Sequence, residues 1–303
     1  MLLRLACPIL VVALSACAVY DMPVCKTGAD CANGVCLADG TCAPAGSSSS
    51  GAGSGGSTAS TGSAGTGASE VCSPTSQSVI TRQEVPLQAG LHATFRVAEK
   101  AAVPTAGTMN ADGSRTWDLS VTFSGDHDEA LDTLPLSSQW FGAAYPGATY
   151  AAKLSDTSDL LGVFSLTDDA LELVGVASPT SGSGATQLSY DPPVTVLSFP
   201  LQEGGKWSTT SNVTGQAEGV PVVYTETYQS SVDAHGTLKT PYATFPVLRV
   251  NTLLTRVVGT LVTTTRTDSF VTACFGNVAS IVSNTDEVAA EFSNAAEVSR
   301  LAP

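Results

Sequence analysis
The chain has 303 residues, with 13 Lys and Arg against 27 Asp and Glu and a net charge of −14. This balance excludes nucleic-acid binding through a basic face and docking on anionic headgroups by charge alone. Thr, Ser, Gly, Val and Ala dominate a chain that is only 13% charged, as suits an exported β-protein, and eight cysteines fit an oxidising compartment.

The N-terminus opens with Met1-Leu2-Leu3-Arg4, continues through an apolar run from Leu5 to Ala13, and reaches small residues just before Cys17. A charged start, a short apolar core and a small-residue cleavage site make a signal peptide over 1–16. The apolar run is too short for a permanent membrane helix, which needs about 20 residues. The quartet Leu14-Ser15-Ala16-Cys17 resembles the lipobox of bacterial lipoproteins. That resemblance implies cleavage before Cys17, acylation of its thiol and new N-terminus, and a protein lipid-anchored in the bacterial cell envelope. An ordinary secretory signal with an incidental cysteine is the alternative. Cys7 is a poorer lipidation site, because Arg4 stands where an aliphatic residue belongs. Ala18 follows the cysteine, not the Asp that retains some lipoproteins in the inner membrane, so the resemblance points to the outer membrane.

Residues 17–44 form the lipidated N-terminus and a small module. Cys25, Cys31, Cys36 and Cys42 are spaced C-x5-C-x4-C-x5-C, with turn residues such as Asn33-Gly34 and Asp39-Gly40 between them. So small a segment, with almost nothing apolar, needs staples to hold a shape. Two disulfides in any of three pairings are expected; zinc is the competing use, although its ligand pairs usually lie two to four residues apart. The block is similar to small Cys-rich modules of secreted proteins, which implies a spacer or contact module. Residues 45–70 are a Gly/Ser/Ala/Thr linker, expected to be a disordered coil with a root-mean-square span of about 25–30 Å.

From 71 to 303 nearly every segment reads as strand. "RTWDLSVTF" (115–123) alternates apolar and polar residues throughout, as a half-buried strand does. "HATFRVA" (92–98) does the same, and 160–178 reads as a hairpin turning at Asp168-Asp169. Further strands are expected at 194–200, 206–215, 220–234, 245–259, 260–276 and 278–284; 287–302 fits either a short helix or a last strand. No strand–helix alternation suggests a parallel sheet. The expected fold is all-β: an antiparallel sheet curved into a half-barrel or a sandwich. Cys72 and Cys274 sit near the domain's two ends; a bridge would close a loop of about 200 residues, worth about 4–5 kcal/mol on the chain-entropy model. Two free buried thiols are the alternative.

Pro200-Leu201-x-x-Gly204-x-x-Trp207, then Thr240-Pro241-x-x-Thr244-Phe245, resemble uncharacterised bacterial envelope proteins distantly like the curved sheets of lipoprotein carriers. Ala243 stands where that pattern usually has Gly. The resemblance implies a concave sheet and assigns no chemistry; packing alone also accounts for Trp207 and Phe245.

Motifs for chemistry are scarce. His92, His127 and His235 form no H-x-H or H-x-x-x-H, and there is no nucleophile elbow, P-loop or dinucleotide fingerprint. The stretch "SGDHDEALD" (124–132) gathers Asp126, Asp128 and Glu129 in what reads as a loop, hard oxygen ligands that suit Ca²⁺; a solvated acidic loop is the plainer reading. No other cofactor is implied. Three functions follow in order: a non-enzymatic binding or structural module, partnered by the membrane through its lipid and by an envelope protein or an apolar ligand; a carrier of a lipid or other apolar ligand in a concave sheet; and an anchored hydrolase without a readable motif. The carrier reading draws on 245–259, where Phe245, Val247 and Leu253 face one way and Leu248, Val250 and Leu254 the other. A filled core favours the first, a large apolar cavity the second, and a pocket joining His92 or His235 to a Ser or Asp the third.

Overall fold
The computed structural model describes residues 78–303. Cys17, Cys25, Cys31, Cys36, Cys42 and Cys72, with the signal peptide, the small module and the linker, lie outside the described residues.

The elements are β1 (Val79–Ile80), β2 (His92–Glu99), β3 (Thr108–Met109), β4 (Arg115–Asp118), β5 (His127–Leu134), β6 (Tyr150–Ser155), β7 (Ser158–Leu166) and β8 (Ala170–Ala177). They continue with β9 (Gln187–Ser198), β10 (Leu201–Gln202), β11 (Lys206–Ala217), β12 (Val220–Lys239), β13 (Thr244–Val258), β14 (Leu261–Thr272), β15 (Gly276–Ser283) and β16 (Ala295–Leu301). The expected antiparallel all-β class holds, and the sheet does more than curve. In the order β11-β9-β8-β7-β6-β5-β2-β16-β15-β14-β13-β12 it returns on itself through β11–β12 pairing, a closed barrel of 12 strands. Closure removes the open edges that a half-barrel or sandwich would leave.

Alternation then divides the residues between lumen and outside. Tyr150, Phe164, Leu173, Tyr190, Val213, Tyr228, Leu248, Leu254 and Val271 come from eight of the twelve strands, β6 to β9 and β11 to β14, yet pack as one cluster. Only the lumen lets them meet. The other face of β13–β16 is apolar too, with Phe245, Val247, Phe270, Ile281 and Val298 buried against Trp117, Leu119, Val103 and Phe292. The segment 100–126 and the 284–294 loop cover that outer face, joined where Val103 and Thr105 N–H donate to Ser293 and Phe292 O. The two apolar faces of 245–259 are therefore lumen and covered wall.

Residues 79–91 cap one end of the lumen. Ile80, Val85 and Leu87 join the lumen cluster, β1 pairs β10, and a 3₁₀ turn over Arg82–Glu84 is capped by Thr81, whose N–H and hydroxyl both donate to Glu84 Oε2. At this end Cys274 N–H donates to Glu84 O (2.7 Å). The hairpin tips at 217–220 and 258–261 stand at the opposite end.

Two sequence readings change. Strand 115–123 stops at Asp118, because its carboxylate accepts from the N–H and hydroxyl of Ser120, a local turn that competes with the ladder. Val121 is exposed and Phe123 lies under the Arg300 guanidinium. The 287–302 tail supplies a strand, β16, paired to both β15 and β2.

Candidate functional site
The acidic stretch is a strand. β5 begins at His127, so Asp128 and Glu129 point to opposite faces, and each carboxylate meets its own cation. Asp126 takes both terminal nitrogens of Arg300 (2.9 and 2.8 Å). Asp128 binds Arg96 (2.8 and 3.2 Å), its cross-strand neighbour, and Glu129 takes Lys153 Nζ at 2.6 Å. Burial alone would raise the Asp126 pKa, but Arg300 and the Phe123 N–H bring it below the ordinary value; Arg96 lowers that of Asp128. The expected Ca²⁺ site at Asp126, Asp128 and Glu129 is thus corrected: among the described residues no three acidic, His or Cys side chains converge to hold a metal.

The histidines stand apart, each paired with a carboxylate: His92 Nδ1 with Asp132 (2.7 Å), His127 Nε2 with Asp156 (2.9 Å) and His235 Nδ1 with Glu203 (2.6 Å). His127 Nδ1 also meets Gly125 O, and these bonds raise its pKa. All three rings are exposed, and the groups they meet are carboxylates and the Gly125 carbonyl.

Ionisable groups do enter the lumen, towards the end away from the cap. On β16, Glu297 reaches across to β6, accepting from Ser155 Oγ (3.0 Å) and Asp156 N–H (3.2 Å). Burial raises its pKa against those bonds. It borders a cavity of about 30 Å³ with Phe95, Val97, Leu131, Lys153 and Ser299, room for a water or two and too small for a substrate.

A second group crosses three neighbouring strands in one row: Ser211 on β11, Glu226 on β12, Arg256 on β13, continuing to Thr263 on β14. Glu226 is fully buried; its Oε1 accepts from Arg256 Nε (2.7 Å) and its Oε2 from Tyr228 OH (2.7 Å). Burial alone would lower the Arg256 pKa, and Glu226 more than reverses that. Arg256 also lies over the Tyr224 ring at 5.4 Å. Burial lifts the Tyr190 and Tyr228 hydroxyls well above their ordinary pKa. Ser211 Oγ is buried without a hydrogen-bond partner. Sequence reasoning passed over this row. Its signal is the placement of Glu226 and Arg256 at lumen-facing positions of otherwise Thr-, Tyr- and Val-rich strands.

Outside the wall, Arg249 gathers the densest set of charges. Its guanidinium is buried and donates to Asp233 (2.9 and 2.8 Å), Glu291 (3.0 and 2.7 Å) and Thr105 O (2.8 Å). Asp268 Oδ2 lies 3.8 Å away with no hydrogen bond, while its Oδ1 accepts from Asn251 Nδ2 (2.6 Å). This cluster ties the covering segments to the barrel. No family model, curated protein or solved structure matches the chain.

Proposed function
We propose that this chain is a lipid-anchored lipoprotein of the bacterial cell envelope, most simply of its outer membrane, and that its barrel is a non-enzymatic binding or structural module. The observation that carries the module reading is the lumen, where the cluster around Phe164, Leu173, Tyr228 and Leu254 packs side chains from eight of the twelve barrel strands together. The paired histidines at separate places on the surface support it as well. The anchor reading rests on Leu14-Ser15-Ala16-Cys17 and on the linker that follows. A Cys72–Cys274 bridge belongs to the same proposal: Cys274 sits against Glu84 O, twelve residues in sequence from Cys72.

Labelling cells with an alkyne analogue of palmitate tests the anchor. Label should follow the wild-type chain and vanish from Cys17→Ser; label retained by that variant, or never taken by the wild type, overturns the anchor. Hydrolysis of p-nitrophenyl acyl esters by the purified chain, reduced in His92→Ala or His235→Ala, would overturn the non-enzymatic half. The carrier reading is favoured by one feature, the barrel end opposite residues 79–91, where among the described residues Val220, Val258 and Leu261 are exposed.

A further inference from the structure
The lumen changes character towards the end opposite residues 79–91. Lumen-facing residues near the cap, such as Leu171, Leu197, Leu248 and Val271, are buried. At the other end the same alternation brings Val222, Tyr224, Arg256 and Thr263 to the lumen, and all four are partly exposed, Arg256 with 14% of its side chain. Water therefore reaches them. Beyond them the β11–β12 and β13–β14 hairpins continue, and their lumen-side positions are apolar: Val220 (54% exposed), Val258 (46%) and Leu261 (62%). Val258 and Leu261 are direct cross-strand partners.

A mouth with an apolar rim and an arginine beneath it suits an amphiphile with an anionic head. Arg256 commits Nε to Glu226, which leaves the outer edge of its guanidinium, two donors in a fixed fork, aimed away from that bond. Beside this pair in the same row stands the unpartnered hydroxyl of Ser211, a donor that a buried position does not leave idle without cost. A positive head finds no free carboxylate there, because both Glu226 oxygens are already engaged, by Arg256 Nε and Tyr228 OH. Val220, Val222, Val258 and Leu261 offer an acyl chain the surface it lacks in water.

We infer that the mouth opposite residues 79–91 binds an anionic amphiphile, its carboxylate or phosphate on Arg256 and Ser211 and its chain along the apolar inner face of the two hairpins. This deepens the binding-module reading and rests on it, but is independent of the lipid anchor. The probes are dodecanoate, dodecyl phosphate, dodecyltrimethylammonium, and acetate and inorganic phosphate without a chain. The protein is the full chain carrying Cys17→Ser, purified without detergent and studied by calorimetric titration and native mass spectrometry.

One dodecanoate or dodecyl phosphate per chain is expected, with the tighter of the two identifying a fatty-acid or a phospholipid-like source. Dodecyltrimethylammonium and the chain-free anions should bind about tenfold more weakly or less. Arg256→Gln combined with Glu226→Gln, which keeps the lumen neutral, should weaken the anionic probes about tenfold or more and spare the cationic one. Val258→Ser with Leu261→Ser changes exposed residues only and should also weaken both anionic probes. Equal binding of anionic and cationic probes, or unchanged dodecanoate binding in both double variants, overturns the inference. No binding of either anionic probe overturns it too, while leaving a structural module in place.

Discussion

Asp268 offers the most exacting test of the energetics. Its carboxyl is fully buried on the outer face of β14, facing Arg249 from β13, Asn251 beside it, Asp233 from the β12 bulge and Glu291 from the covering loop. Burial raises its pKa to about 7, against the opposing pull of Arg249 and the Asn251 hydrogen bond, with Asp233 and Glu291 adding to the rise. The folded state therefore holds a proton that the unfolded chain releases near 3.8. Where the native state binds more protons, stability falls as pH rises. The contribution is fully present below about 3.8 and is lost as pH climbs through about 7. Between pH 5 and pH 8 the difference amounts to about 2–3 kcal/mol. Asp268→Asn removes the titration and keeps an amide oxygen for Asn251 Nδ2. Urea unfolding of wild type and Asp268→Asn at several pH values across that window measures the effect. The wild type should lose about 2–3 kcal/mol relative to the variant from pH 5 to pH 8. Stability curves that stay parallel would show an Asp268 ionised throughout, its charge held by Arg249 alone, and would refute the reasoning.

Three further outcomes follow from the same structure. Asp126→Ala strands the buried Arg300 guanidinium with only the carbonyls of Leu119 and Val121 and should cost about 3–5 kcal/mol by chemical denaturation. Trp117→Ala removes the indole that packs edge-on against Phe270 and donates to Thr105 O; a loss of about 3–5 kcal/mol is expected, with hydrogen exchange rising first in 100–126. Arg96→Gln breaks an exposed pair with Asp128 and should change stability by less than about 1 kcal/mol, a contrast that checks burial as the deciding variable.

The strands were legible because alternation survives wherever one face meets the lumen and the other meets water. "HATFRVA" and the 160–178 hairpin at Asp168-Asp169 appear as β2 and the β7–β8 turn. The tail reads ambiguously because β16 is buried on both faces, where alternation carries no information. Closure was not legible either: it depends on β11 meeting both β9 and β12, a register among long-range partners that no local pattern encodes. The candidate Ca²⁺ loop misled for a related reason. "DHDEALD" reads as a run of oxygen ligands, but a strand sends neighbours apart, and the cations that claim them stand far along the chain at Arg96, Lys153 and Arg300. Glu226 and Arg256 lie thirty residues apart in sequence and become neighbours only through the β12–β13 pairing.

The cap formed by residues 79–91 has a mechanical consequence. The polypeptide enters the barrel there, so a pull on everything N-terminal to residue 78 arrives first at β1, held to β10 by two residue pairs, and at Ile80, Val85 and Leu87. Those contacts yield in sequence, a zipper, whereas the closed wall behind them must shear many bonds at once. Load would thus draw out the stopper and open the lumen from below before the barrel gave way. A Cys72–Cys274 link would route the same force into the β14–β15 turn and leave the stopper seated.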